Sequence, residues 1–183
     1  MIDEAQFWHF RPAVLQLVLR QNLIGCEIGV DKGINSYNIL NSLNIEKLYL
    51  IDPYYPQSEE FNEDKERSYI AGDILRPAYE QARNILNKFE DKIEWIIKPT
   101  EEVDEIADFS LDFVYIDGDH SYESVLKDIS WAIDKVKDKG IIGGHDFHED
   151  HTGVIKAVLD TFGRNRIYTI NRDWWIIQNV TQI

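Results

Sequence analysis

The chain has 183 residues, 44% hydrophobic and 12% aromatic, which is enough for one buried core and too little for two comfortable domains. Its formal charge of -14, from 33 acidic against 19 basic residues, opposes the phosphate contacts that drive nucleic-acid binding, so DNA and RNA are disfavoured as partners. Cys26 is the single cysteine, which excludes a disulfide framework. The opening MIDEAQFWHF is acidic where a secretory leader is basic, and no apolar run reaches the ~18 residues that a bilayer demands. The expectation is one domain over residues 1–183, cytoplasmic and without a membrane partner.

In chain order, residues 1–22 read as an N-terminal helical segment, with a short helix from Pro12 to Asn22. Ile24 to Ile28 is a buried strand, Ile34 to Leu43 a helix behind it, and Lys47 to Asp52 a second strand. The stretch 53–68 holds two prolines and the charged block SEEFNEDKER, and reads as an irregular insertion and candidate lid. Ala78, Tyr79, Ala82, Ile85, Leu86 and Phe89 recur at helical spacing, and strand three follows at Lys92 to Ile97.

Phe113 to Asp117 makes the fourth strand, Tyr122 to Val136 an amphipathic helix, and Gly140 to Gly144 the start of the fifth strand. Trp131 falls off that helix's apolar stripe and marks a candidate partner surface. A short helix over Val154 to Phe162 leads to two strands, Arg166 to Ile170 and Trp174 to Gln178, joined by the turn residues Asn171, Arg172 and Asp173. Trp174 and Trp175 face opposite sides of their strand, so at least one belongs to the core. Alternating strands and helices with short buried strands predict an α/β fold: a doubly wound, mostly parallel seven-stranded sheet closed by an antiparallel hairpin.

In such a sheet, ligands bind at the carboxyl ends of the strands. Glu27 and Gly29, Asp52, Asp117 and Asp146 all fall at those ends. Gly29 and Gly33 flank a strand-to-helix turn, where absent side chains let a ligand approach backbone and helix amino end. Asp52 stands about 20 residues past the turn, the spacing at which an acid meets ribose hydroxyls. A dinucleotide fingerprint would carry a second glycine where Asp31 stands, and a pyrophosphate there would meet like charge. An adenosine-containing ligand with a cationic or amino-acid end suits the turn better.

The run CEIGVDKGINS resembles the first motif of class I S-adenosylmethionine-dependent methyltransferases, LYLIDPY their acidic second motif, and FVYIDGDHSYESVLKDI with GIIGGHDF their fourth- and fifth-strand region. The resemblance is closest to the group called methyltransferase domain 24, similar to macrolide-sugar O-methyltransferases, and covers Ile24 to Gln178. It implies a Rossmann-like methyltransferase fold and S-adenosylmethionine as cofactor. Glu27, Gly29 and Gly33 would surround the methionine part, Asp52 the ribose, and Thr100 and Glu101 the adenine. Asp31, Asn35, Ser36, Pro53, Tyr54, Asp117, Gly118, His120 and Tyr122 complete the expected cofactor surface, with Tyr54 and Tyr55 placed to shield the adenine.

Methyl transfer to oxygen needs a deprotonated acceptor held in line with the methyl-sulfur bond. The resemblance makes His120 the expected general base beside Asp117, with His148 an alternative and His145 and His151 crowding the same loop. Asp117 and Asp146, ending adjacent strands, are candidate ligands for Mg²⁺, although metal-dependent relatives carry an Asp or Asn where Phe147 stands. The expected acceptor is a small molecule, most simply a sugar hydroxyl, and a homodimer could complete its pocket. Two rival readings stay open: an NAD-dependent oxidoreductase, and a cofactor-binding module without chemistry.

Overall fold

The computed structural model describes residues 11–54 and 76–179. The apolar runs become seven strands: β1 (Leu23–Ile28), β2 (Ile45–Ile51), β3 (Ile93–Ile96), β4 (Leu111–Ile116), β5 (Val136–Gly144), β6 (Tyr168–Ile170) and β7 (Asp173–Ile177). The helix α1 (Pro12–Leu15) precedes them, and α2 (Ile34–Ser42), α3 (Arg76–Leu86), α4 (Tyr122–Lys135) and α5 (Thr152–Phe162) lie between them. The sheet runs β3-β2-β1-β4-β5-β7-β6. The first five strands are mutually parallel, and β7 pairs antiparallel with both β5 and β6.

Period-two alternation divides the core between the two faces. Phe113 and Tyr115 of β4 pack with Ile39 of α2, Ala82 and Leu86 of α3 and Ala13 of α1, whereas Val114 and Ile116 pack with Val125 and Ile129 of α4 and Val158 of α5. The sheet is therefore covered on both sides, which explains why its central strands read as near-continuous apolar runs. Trp174 and Trp175 split between the two cores, 1% and 6% exposed, so both are core residues.

Some expectations change. The first helix ends at Leu15, and the chain continues to Arg20 through bonds to the third residue back, such as Val18 N–H to the Leu15 carbonyl. Leu17 is buried while Leu19 is 91% exposed, so no continuous apolar stripe supports a longer helix. Strand β5 begins at Val136, ahead of Gly140; the polar Lys137-Asp138-Lys139, with Lys139 at φ 61°, hides an irregular pairing with β4. Trp131 is not a free partner surface: it packs on the core and its Nε1 donates to the Val103 carbonyl at 3.3 Å. The insertion read at 53–68, from residue 55 onward, lies outside the described residues.

The chain order reverses between β1 and β4, the place where an open α/β sheet forms a crevice. Gly29 lets the two strand ends meet. Its φ is 84°, and a Cβ there would stand 2.2 Å from the Asp117 carbonyl oxygen. Left-handed strain and the backbone overlap each cost about 1–3 kcal/mol, so Gly29→Ala should destabilise the protein by about 3 kcal/mol in urea unfolding. A loss below about 1 kcal/mol would show that the β1 and β4 ends are not locked together as described.

Candidate active site

The turn after β1 is built by two acids, Glu27 and Asp52. Glu27 is 1% exposed, and its carboxylate accepts Asn35 Nδ2–H at 2.8 Å and the Ser36 hydroxyl, both from the first turn of α2. Burial raises the Glu27 pKa to about 8 against these hydrogen bonds, which favour the ionised form. Asp52 Oδ2 accepts the Val30 and Asp31 N–H groups at 2.9 Å each, and Oδ1 accepts Tyr54 N–H at 2.7 Å. Its carboxylate thus shapes the turn while keeping acceptor capacity. Burial raises its pKa too, opposed by those backbone donors.

Gly33 opens α2 at φ 77°, which strains any L side chain, and a Cβ there would also press on Ala82 at 3.1 Å, so the fold favours glycine before any ligand does. Asp31 is exposed at the turn's tip, where the Tyr54 hydroxyl donates to its carbonyl at 3.1 Å. Pro53 links Asp52 to Tyr54, whose ring meets Tyr79 edge-on at 5.0 Å. The Thr100 hydroxyl is committed to Asp128 at 2.6 Å, both buried, and Glu101 pairs with Lys127 at 2.8 Å. Tyr122 reaches α5, where its hydroxyl meets Asp160 at 3.0 Å.

A second group joins this turn to β4 and β7. Arg11 Nε donates to Asn35 Oδ1 at 3.0 Å, and its guanidinium lies 3.7 Å from Asp117 and 3.9 Å from Asp173. Asp173 in turn accepts the buried Tyr115 hydroxyl and the Ala13 N–H. Burial raises Asp117 to about 7 and Asp173 to about 6, with Arg11 opposing both. Sequence reasoning missed Arg11 and Asp173. Neither belongs to a motif, and Asp173 reads as turn chemistry although it is 2% exposed.

The third group surrounds Asp146, just past β5 at φ 56°. His120 Nε2 lies 2.9 Å from one of its oxygens; His145 Nδ1 (3.2 Å), Arg172 (3.4 Å) and His151 Nε2 (3.7 Å) face the other. Burial raises the Asp146 pKa, but the three histidines outweigh it and hold the carboxyl below its usual value. Burial, then Arg11, lowers His145. Asp117 joins through His145 at 3.8 Å. A pocket beside the cluster is lined by Asp117, Gly118, His120, His145 and Trp174. His148 is not brought to Asp146; it pairs with Asp150 at 3.0 Å on the exposed side.

The acidic crevice lies at the reversal point of a 3-2-1-4-5-7-6 sheet, the place where open α/β sheets bind their ligands. Residues 26–147 match the family described as methyltransferase domain. The chain belongs to that family, and is an S-adenosylmethionine-dependent methyltransferase. No curated protein matches the sequence. Among solved structures, the O-methyltransferase NovP is similar at TM-score 0.66 and 15% identity, over 96% of this chain and 78% of NovP. TomG from Streptomyces achromogenes, an O-methyltransferase of tomaymycin synthesis solved with S-adenosylmethionine, gives 0.63 and 15% over 98% and 82%. An rRNA methylase from Streptococcus thermophilus gives 0.59 and 15% over 98% and 99%. These likenesses are of fold. Among the described residues no helix is long and apolar enough to cross a membrane.

Because Glu27 holds its proton more tightly folded (pKa about 8) than unfolded (4.5), the folded state is favoured at low pH and loses that advantage as pH rises across this window. Stability of the ligand-free protein should fall between pH 5.5 and 7.5, Glu27 contributing up to ~1.4 kcal/mol per pH unit. Urea titrations of Glu27→Gln should show a flatter pH dependence; an unchanged slope would mean that Glu27 is ionised in the fold.

Proposed function

We propose that the protein transfers the methyl group of S-adenosylmethionine to a hydroxyl oxygen of a small molecule, a sugar or related metabolite being the favoured acceptor. The observation that carries this reading is the placement of His120 and Asp146 beside Asp117, at the crevice end of β4 and β5. His120 takes the hydroxyl proton at Nδ1, and Asp146, 2.9 Å from Nε2, stabilises the imidazolium that forms. The net charge of -14 supports a small acceptor over a polyanionic nucleic acid.

On this reading the cofactor's methionine end lies over the Gly29 turn, where Glu27 and Asp117 offer negative charge to its cationic groups. Arg11, loosely held by two carboxylates at 3.7 and 3.9 Å, meets the methionine carboxylate. Asp52 receives the ribose hydroxyls with its spare acceptor capacity. The backbone at Thr100 and Glu101 faces the adenine, since the Thr100 hydroxyl is already used. Mg²⁺ is a poor match for these residues: Phe147 supplies no oxygen, and Asp146 is ringed by imidazoles where a hard octahedral cation wants oxygen donors. The proposed reaction therefore runs through the chain's own residues.

Release of S-adenosylhomocysteine, followed over a panel of sugars, catechols and amines, tests the reaction. Hydroxyl acceptors should turn over, and His120→Ala should lower kcat by ~10²–10⁴-fold. Turnover of amines alone, or an active His120→Ala, would overturn it. Arg11 has its own test. S-adenosylhomocysteine should outbind methylthioadenosine, which lacks the amino-acid end, and Arg11→Met should shrink that preference ~10- to 100-fold, the worth of one charge-assisted bond. An undiminished preference would remove Arg11 from the cofactor site.

A further inference from the structure

His120 sits on the loop after β4, Asp146 on the loop after β5, and His151 at the amino cap of α5. The first and third are pressed together at Gly153, where a Cβ would stand 2.4 Å from the His120 carbonyl oxygen. The two imidazole rings consequently lie 4.3 Å apart, and both Nε2 atoms face the carboxylate of Asp146. One donor atom from each residue falls within 4.8 Å of the other two. His120 Nε2 is also a fully buried nitrogen without a hydrogen-bond partner, although a carboxylate oxygen stands 2.9 Å away. A buried polar atom of this kind calls for a ligand.

We propose that His120, Asp146 and His151 form a binding site for a nitrogen-preferring divalent cation of the Zn²⁺ and Co²⁺ class, in place of the Mg²⁺ that an oxygen-rich site would take. Bonds of ~2.0–2.1 Å to a tetrahedral Zn²⁺ put neighbouring ligand atoms ~3.3 Å apart. His120 Nε2 lies 2.9 Å from one Asp146 oxygen and His151 Nε2 3.7 Å from the other, and one ligand atom from each residue lies within 4.8 Å of the other two. Two imidazoles and one carboxylate form a facial set that leaves positions open for water or an acceptor oxygen. Arg172 reaches only the oxygen shared with His145 and His151, and its other nitrogen is held by Asp150, so the oxygen facing His120 stays available to the cation. A cation between His120 Nε2 and Asp146 takes the place of the contact that stabilises the imidazolium, so metal loading opposes the duty of His120 as base.

The test uses the tag-free full-length chain stripped with EDTA. Titration with Co²⁺ should produce visible d–d absorption saturating at one equivalent, abolished by one equivalent of Zn²⁺ and untouched by a 100-fold excess of Mg²⁺. His151→Ala should weaken Co²⁺ binding more than ~10-fold. His151→Gln, which preserves bulk, should do the same, and binding of S-adenosylhomocysteine at wild-type affinity would show that either variant is folded. Displacement by Mg²⁺, or equal Co²⁺ affinity in a folded His151 variant, would overturn the site. The readout needs no methyl acceptor, so failure of the proposed reaction would leave it standing, and the reverse.

Discussion

The architecture of the crevice depends on one backbone contact, the approach of the β1 end to the β4 end at Gly29 and Asp117. The Asp117 N–H donates to the Ile28 carbonyl, and the Asp117 carbonyl occupies the space that a side chain at position 29 would need. Because the chain winds away from β1 in one direction and returns at β4 in the other, this contact is the floor of the crevice. It fixes where Glu27, Asp52 and Asp117 stand relative to one another. Everything proposed about the ligand follows from that spacing.

The electrostatic consequence is an excess of acid in a poorly solvated place. Burial raises Glu27, Asp52, Asp117 and Asp173, and Arg11 is the cation set among three of them. Such a site gains when a positive ligand arrives and loses when a phosphate does. A sulfonium cofactor with an ammonium group relieves the repulsion, whereas a dinucleotide pyrophosphate beside Asp31 and Asp52 would add to it. The methyltransferase family and the charge balance of the crevice therefore agree from independent directions.

Much of this was legible in the sequence because it rests on local patterns. Buried strands show as apolar runs, the turn as Gly29 and Gly33, and the closing hairpin as Asn171 to Asp173 between two strands. What stayed hidden was tertiary. Gly29 and Gly33 were read as space for a ligand, yet the fold favours glycine at both before any ligand does, with the Asp117 carbonyl and Ala82 beside them. Arg11 and Asp173 meet across the fold from distant parts of the chain, so no spacing announces them. The three histidines of the loop after β5, His145, His148 and His151, looked alike in sequence. Only the pressing of α5 onto the His120 loop through Gly153 selects His151 for Asp146 and leaves His148 to Asp150.

The central claim is that this acidic crevice is shaped for S-adenosylmethionine. Isothermal titration in two buffers of different ionisation enthalpy measures it most directly, because binding and proton movement are read together. S-adenosylmethionine should bind at one site per chain with net proton release near pH 7, as its positive charge draws Glu27 toward the ionised form, and NAD should give no heat of binding. Saturable binding of NAD, with none for S-adenosylmethionine, would contradict the account.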